Sequence, residues 1–361
     1  MTQVLRSVVT GVGGYLPERV VTNDDLAKFV DTSDAWIVER TGIRQRHQAA
    51  DDQPVSDLAV AAARRALEAA GRTPDDVDLI IVATTTADLI FPAVATIVQR
   101  KLGCPVGIAF DVQAVCSGFV YALSVADGFT ARGRSKCALV IGAETMTRLM
   151  DWSDRGTCVL FGDGAGAIVV EPMAGEGTTA DRGLLGFALR ADGTKQDLLY
   201  VDGGPSTNGQ VGKLRMQGNQ VFRHAVVNIS EAVTAAAADA GIEVASVDWF
   251  VPHQANLRIL QGGGPAAGHR RGQGDHHPRP PRQHLGGVDS AGPGSGRPRR
   301  ADQARPAAAA RGDGRRPDLG RVRSAALGAG SNTIRNLALE VFDRIGQSGD
   351  GDASVKGDGP A

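Results

Sequence analysis

The chain has 361 residues, a formal net charge of −1 at pH 7 and 42% hydrophobic residues. Its length allows one large domain or two smaller ones, and the balanced charge gives no basis for binding nucleic acid or a bare anionic membrane. The N-terminus MTQVLRSVV has too short an apolar stretch for a signal peptide and continues directly into a strand pattern, so we expect none. The four cysteines have no metal-binding spacing, so we expect reduced thiols, a cytoplasmic location and no metal site.

The first predicted helix and strand lie within residues 62–86. An Ala-rich amphipathic stretch ends at Gly71, and Asp78 precedes an apolar run. Glycine commonly follows the last turn of a helix, and a short apolar run is typical of a buried strand. The segment therefore predicts a helix, a turn and a strand.

Cys116 lies where a second strand should meet a second helix. The apolar residues from Val106 to Val112 predict the strand, and the small residues from Ser117 to Thr130 predict the helix. A thiol at a helix N-terminus lies near unpaired N–H groups, which lower its pKa and favour a nucleophilic thiolate. An isolated cysteine is more often an inert, buried one, so this interpretation depends on a second catalytic group.

The glycine-rich motif FGDGAGA covers residues 161–167. It lacks the lysine of a P-loop and the spacing of a dinucleotide fingerprint, and a strand-like run follows it instead of a helix. We predict a tight turn between strands close to the active site. The motif gives no reason to expect a nucleotide cofactor.

Residues 228–256 repeat the order of residues 62–86, with Gly241 ending the helix and Asp248 preceding the strand. His253 follows that strand, at a position where loops often carry function. Its ring could polarise a carbonyl or receive a proton, and Asn256 could position a neighbour. A lone histidine there is usually structural, but cysteine plus histidine is a recurring nucleophile arrangement. We therefore interpret Cys116 and His253 as catalytic residues on a duplicated, layered α/β fold.

Seven motifs in the same order carry a resemblance to a known family over Val4 to Gln261. They are GVGGYLPERVVTNDDL (11–26), TSDAWIVERTGIRQRH (32–47), TTTADLIFP (84–92), VQAVCSGF (112–119), FGDGAGA (161–167), MQGNQVF (216–222) and VPHQANLR (251–258). Together they resemble the β-ketoacyl-acyl carrier protein synthase III family of thiolase-fold condensing enzymes. The resemblance implies a thiolase-like duplicated αβαβα fold. Its N-terminal half would span 1–172 and a partial C-terminal half 173–261.

The resemblance also implies a substrate site. Coenzyme A would hold its adenine between Trp36 and Arg155, as an indole and a guanidinium suit an aromatic base. The further predicted substrate-binding residues are Thr32, Arg40, Thr41 and Asn256. Arg258 matches a basic position that receives the acidic carrier protein.

The reaction implied is an acyl transfer that starts fatty acid synthesis. Cys116 would accept the acyl group of an acyl-CoA, with acetyl-CoA expected, and malonyl-acyl carrier protein would then lose CO2 and condense with it. His253 and a later asparagine would stabilise the enolate. Acyl-CoA is a substrate, so no cofactor is expected, and the family resemblance implies a homodimer.

Residues 262–361 depart from the family. Residues 262–323 contain 13 Arg, 14 Gly and 8 Pro and no Lys, Glu, Ile, Phe, Tyr, Trp or Met. Such a composition cannot bury enough surface to offset its ordering entropy, so we expect an aberrant, disordered segment that truncates the second half.

Codon choice suggests the origin of this segment. Read one nucleotide late, suitable codons for Pro281 to Asp289 yield His-Ala-Asn-Thr-Ser-Ala-Ala-Ser, and codons for Ala310 to Gly320 yield Leu-Glu-Ala-Met-Gly-Gly-Gly-Leu-Thr-Trp-Gly. Both frame-shifted peptides match sequences that the family carries after PHQAN, and the first of them includes the family's catalytic asparagine. We infer a frameshift near 261–264. Three alternatives stay open: an active synthase, a non-catalytic frameshifted product or pseudoenzyme, and a related condensing enzyme with other acyl starters.

Overall fold

A computed structural model describes residues 4–262, 270–271 and 336–338, with side chains described for 4–259. The predicted aberrant segment therefore lies almost wholly outside the described residues. The strands are β1 (Val4–Tyr15), β2 (Arg19–Thr22), β3 (Gln45–Gln48), β4 (Leu79–Ala83), β5 (Ile108–Val112), β6 (Ala138–Thr145), β7 (Asp163–Gly175), β8 (Leu199–Val201), β9 (Leu214–Met216), β10 (Trp249–Val251), β11 (Arg270–Arg271) and β12 (Asn336–Ala338). The helices are α1 (Asn23–Ala27), α2 (Asp34–Thr41), α3 (Val55–Ala70), α4 (Val94–Leu102), α5 (Gly118–Thr130), α6 (Gly218–Asp239) and α7 (Leu257–Gly262).

A five-stranded mixed sheet with the order β1-β7-β6-β4-β5 organises the first half. Strand β4 runs parallel to β5 and β6, and β7 runs antiparallel to β1 and β6. All five residues of β4 are buried, as its unbroken apolar sequence LIIVA requires of a strand covered on both faces. Helices α3 and α4 pack on one face and α5 on the other. The predicted layered α/β architecture is confirmed.

The predicted repeat is also confirmed by the geometry after α3 and α6. Gly71 and Gly241 have φ angles of +66° and +68°, a left-handed conformation that glycine adopts without a Cβ clash. Each glycine is followed by a 3-10 turn and then by strand β4 or β10. The two halves therefore share the same local construction.

The prediction of a tight turn at FGDGAGA is wrong, because residues 163–167 belong to strand β7. Both β1 and β6 pair with this segment, and their ladder hydrogen bonds outweigh the low strand preference of glycine. The buried Asp163 carboxylate accepts hydrogen bonds from the N–H of Ala49 and from the N–H and hydroxyl of Thr147. Burial raises the pKa of Asp163.

The parallel strands β4, β5 and β6 place their carboxyl ends at one edge of the sheet. This is the edge where ligand-binding crevices form in α/β proteins. Strand β5 leads into the Cys116 turn, β4 leads into Thr84, and β6 ends with Glu144 and Thr145. Cys116 therefore follows a strand that ends at this edge.

Candidate active site

Cys116 lies in a 3-10 turn, Val115–Ser117, between strand β5 and helix α5. The predicted placement between a strand and a helix is confirmed, and the side chain is exposed. The preceding residue, Val115, has a φ angle of +47°, which a β-branched residue rarely adopts. Backbone strain of this kind concentrates at functional sites. The sequence did not indicate this strain.

The other three cysteines lie in less reactive surroundings. Cys104 is half-buried, and Cys137 and Cys158 are buried. Burial raises the pKa of all three thiols, that of Cys137 to about 12. A raised pKa lowers the fraction of nucleophilic thiolate at neutral pH. Cys116 is thus the one exposed thiol among the four.

Trp36 is the centre of the predicted adenine site. It lies in the first turn of α2, where the Ser33 hydroxyl accepts a hydrogen bond from the Trp36 N–H at 3.2 Å. The guanidinium carbons of Arg40 and Arg155 each lie 4.6 Å from the centre of the indole, within cation–π range. Arg155 also donates a hydrogen bond to the carbonyl of Asp31 at 2.8 Å. Two of the predicted substrate-binding residues, Arg40 and Arg155, therefore contact a third, Trp36.

The two predicted threonines differ in their surroundings. The Thr32 hydroxyl is buried and has no hydrogen-bond partner among the described residues. The Thr41 hydroxyl donates to the carbonyl of Ile37 at 2.8 Å and accepts from the N–H of Ile43 at 3.0 Å. Thr41 therefore stabilises the end of α2, and its nucleotide contact stays a prediction.

The loop after β10 carries the second group of predicted residues. His253 is half-buried in this loop. The Asn256 side-chain oxygen accepts the N–H of Arg258 at 2.8 Å, which stabilises the start of α7. Arg258 donates to the carbonyl of Glu39 in α2 at 3.3 Å. The end of the loop is thereby held against the helix that carries Trp36.

Glu144, near the end of β6, is a candidate residue that the sequence reasoning missed. Its carboxylate accepts hydrogen bonds from the N–H of Thr85 at 2.8 Å, and from the N–H and hydroxyl of Thr86 at 3.1 and 2.5 Å. Burial raises the pKa of Glu144 to about 7. An acidic residue at the end of the apolar strand ALVIGAET was the available signal.

In the part of the chain that the structure describes, no three His, Cys, Asp or Glu side chains converge as a metal site. No helix described there combines the length and apolarity needed to cross a bilayer.

The duplicated, layered α/β fold is that of thiolase-like acyl-condensing transferases, and this is the class that the fold defines. The family model described as 3-oxoacyl-[acyl-carrier-protein (ACP)] synthase III matches residues 110–193, which include the Cys116 turn. A β-ketoacyl-[acyl-carrier-protein] synthase III of Caulobacter vibrioides is 84% identical over 258 residues, which cover 72% of this chain and 80% of that protein. The chain belongs to the β-ketoacyl-[acyl-carrier-protein] synthase III family.

Solved structures agree with this assignment. The 3-oxoacyl-[acyl-carrier-protein] synthase III of Aquifex aeolicus VF5 matches with a TM-score of 0.65 and 42% identity, over 71% of this chain and 79% of that one. The priming β-ketosynthase of the R1128 polyketide biosynthetic pathway matches with a TM-score of 0.67 and 38% identity, over 74% of this chain and 81% of that one.

Proposed function

We propose that Cys116 accepts the acyl group of an acyl-CoA. The thiolate attacks the thioester carbonyl carbon, a new S–C bond forms, and the C–S bond to coenzyme A breaks. Coenzyme A leaves as a thiolate that takes up a proton. The observation that carries this proposal is the exposure of Cys116 at the start of α5, whereas burial raises the pKa of Cys104, Cys137 and Cys158.

The group around Trp36 supports coenzyme A as the acyl carrier. The indole offers an aromatic face on which adenine can stack, and Arg40 and Arg155 offer positive charges for the phosphates of coenzyme A. The buried Thr32 hydroxyl, which has no hydrogen-bond partner among the described residues, could bind a further polar group of the nucleotide. An adenine between Trp36 and Arg155 needs about 7 Å, two stacking distances of roughly 3.5 Å. Because the observed separation is 4.6 Å, Arg155 must swing aside when the nucleotide binds.

The second substrate in this proposal is malonyl-acyl carrier protein. Loss of CO2 from its malonyl group leaves an enolate, whose oxygen the His253 ring would stabilise. The enolate carbon attacks the acyl carbon, a C–C bond forms, the C–S bond to Cys116 breaks, and the Cys116 thiolate is restored. Arg258 supports docking of an acidic carrier, because its side chain is 52% exposed and its contact with the Glu39 carboxylate is long, at 4.0 Å. The catalytic asparagine expected after PHQAN has no counterpart in the chain's own reading frame. We therefore expect acyl transfer without completed condensation.

A homodimer in the cytoplasm completes the proposal. Among the described residues, strand β5 is an edge of the five-stranded sheet, and unpaired edges are normally covered or paired. Exposed apolar side chains lie in β5 and in the loop between β4 and α4: Ile108 is 41%, Ile90 81% and Phe91 82% exposed. A second copy pairing along β5 would bury this surface. Sedimentation of the wild type and of Phe91→Asp tests this part, since an unchanged dimer in the variant would contradict it.

The test of the proposed function is the intact mass of the chain after incubation with acetyl-CoA. We expect one acetyl group on the wild-type chain and none on Cys116→Ser, with free coenzyme A released in equal amount. An unmodified wild-type chain would favour the non-catalytic alternative. Faster transfer from a longer acyl-CoA than from acetyl-CoA would instead favour a condensing enzyme that uses other starters.

A further inference from the structure

Glu144 joins two neighbouring strands at the carboxyl edge of the sheet. The residue belongs to β6, but the donors to its carboxylate, the N–H groups of Thr85 and Thr86 and the Thr86 hydroxyl, follow β4. The N–H of Thr145 donates to the Thr86 hydroxyl oxygen at 2.8 Å. The end of β4 is therefore held in place from the β6 side.

The Cys116 turn is attached to the same strand end from the β5 side. The N–H of Thr84 donates to the carbonyl of Val112, the last residue of β5, at 3.2 Å. Gly118, the first residue of α5, lies so close to Ala83 that an added Cβ would come within 3.2 Å of the Ala83 Cβ. A displacement of the end of β4 would therefore reach the turn that carries Cys116.

We propose that Glu144 is a positioning residue for the nucleophile, because it fixes the strand end against which the Cys116 turn packs. The inference rests on the proposed acyl transfer, since it concerns the same thiol. A strained residue such as Val115 keeps its conformation only while its surroundings hold it there. Loss of the hydrogen bonds from Thr85 and Thr86 to Glu144 would let the Cys116 turn change its conformation. The first N–H groups of α5 would then stabilise the Cys116 thiolate less well.

Asp78 provides a matched control. Asp78 lies just before β4, at the amino ends of β4 and β6, whereas Glu144 lies at their carboxyl ends. Both side chains are half-buried. Its carboxylate accepts hydrogen bonds from the Ser135 hydroxyl at 2.5 Å and from the N–H groups of Lys136 and Cys137 at 2.7 and 3.3 Å. Asp78→Asn therefore weakens the same sheet at a comparable site without touching the Cys116 edge.

The experiment measures the rate of Cys116 alkylation by iodoacetamide and the amide hydrogen exchange of residues 84–86. It is run at about pH 8, above the raised pKa of Glu144. We expect Glu144→Gln to slow alkylation about tenfold and to speed exchange at 84–86. Glu144→Asp keeps the charge and should recover part of the rate. Asp78→Asn should leave Cys116 unaffected.

An alkylation rate for Glu144→Gln within about twofold of the wild type would overturn the proposal, and so would an equal loss in Asp78→Asn. If Glu144→Gln does not fold, Glu144→Asp takes its place, because the aspartate carboxylate is one methylene too short to make the same hydrogen bonds. A wild-type rate of Cys116 alkylation in Glu144→Asp would then overturn the proposal. Acetyl-CoA transfer is measured in parallel. If the wild-type chain does not accept an acetyl group, the proposed function fails, but the alkylation comparison still decides the role of Glu144.

Discussion

The guanidinium carbon of Arg155 lies 4.6 Å from the centre of the Trp36 indole, although the two residues come from distant parts of the chain. Arg155 is held there by a hydrogen bond to the carbonyl of Asp31, just before α2. The Arg155 guanidinium therefore covers one face of the Trp36 indole. We expect this contact to open when coenzyme A binds, as an adenine and a guanidinium cannot both lie against that face.

Trp36→Ala and Arg155→Ala should each weaken coenzyme A binding about tenfold, because a partly exposed cation–π or stacking contact contributes roughly 1–2 kcal/mol. Isothermal titration calorimetry with coenzyme A measures this. Arg65→Ala is the matched control, since it removes a cation–π contact with Tyr15 at 5.6 Å, outside the predicted site. Equal affinity in the wild type and both site variants would contradict the assignment.

Iodoacetamide should modify Cys116 well ahead of the other three cysteines at neutral pH. Cys116 is exposed at a helix start, whereas burial raises the pKa of the Cys104, Cys137 and Cys158 thiols. Peptide mass spectrometry over a time course measures each site, with Cys116→Ser as the control. Equal labelling of all four in the folded chain would exclude Cys116 as a selectively reactive nucleophile.

The free energy of unfolding should fall as the pH rises from about 4.5 to about 7, because of Glu144. Burial raises the pKa of this carboxyl from 4.5 to about 7 in the folded chain, so between these values the folded state binds more protons than the unfolded state. The contribution is fully present below pH 4.5 and is lost as the pH passes 7. Its size is roughly 3 kcal/mol at most.

Urea denaturation of the wild type and of Glu144→Gln across this pH range tests the prediction. The glutamine amide does not titrate, so the difference in unfolding free energy between the two chains should change with pH. Burial also raises the pKa of Asp111 and Asp163, but both chains carry these carboxyl groups, so their contributions cancel. A constant difference would show that Glu144 does not titrate there.

Variants of Cys116 and His253 should distinguish the acylation step from the decarboxylation step. Cys116→Ser should abolish acyl-enzyme formation, whereas His253→Ala should still accept an acyl group. In a chain whose family reading frame is restored, His253→Ala should slow malonyl decarboxylation ~10²-fold or more, because the enolate loses a hydrogen-bond donor. If His253→Ala blocked acylation as completely as Cys116→Ser, the histidine would act as the base for the nucleophile.

Resequencing the DNA around codons 258–266 should reveal one missing or extra base. The 361-residue product should not complete condensation, because the absent asparagine removes an enolate donor worth about 3 kcal/mol. A condensation assay with acetyl-CoA and malonyl-acyl carrier protein compares this product with the frame-restored chain. Equal turnover would show that residues 262–361 are a functional C-terminal part, and the frameshift interpretation would be wrong.

The sequence by itself determined the features that depend on neighbouring residues. The apolar runs before Cys116 and His253 predicted strands that the structure contains, and the glycines at 71 and 241 predicted helix ends that adopt positive φ angles. These signals are local, because periodicity and the absence of a Cβ act within a few residues. The family motifs then predicted the candidate site residues.

Only the tertiary structure decided the contacts that join distant segments. Residues 163–167 became a strand because β1 and β6 flank them, although their glycines favour a turn. The half-buried Glu144 accepts hydrogen bonds from Thr85 and Thr86 because β4 ends beside β6. Arg155 reaches Trp36 because its loop returns to the start of α2. Such contacts depend on strand order and burial, which the local sequence does not encode, and they determine both the raised pKa of Glu144 and the surroundings of the Cys116 turn.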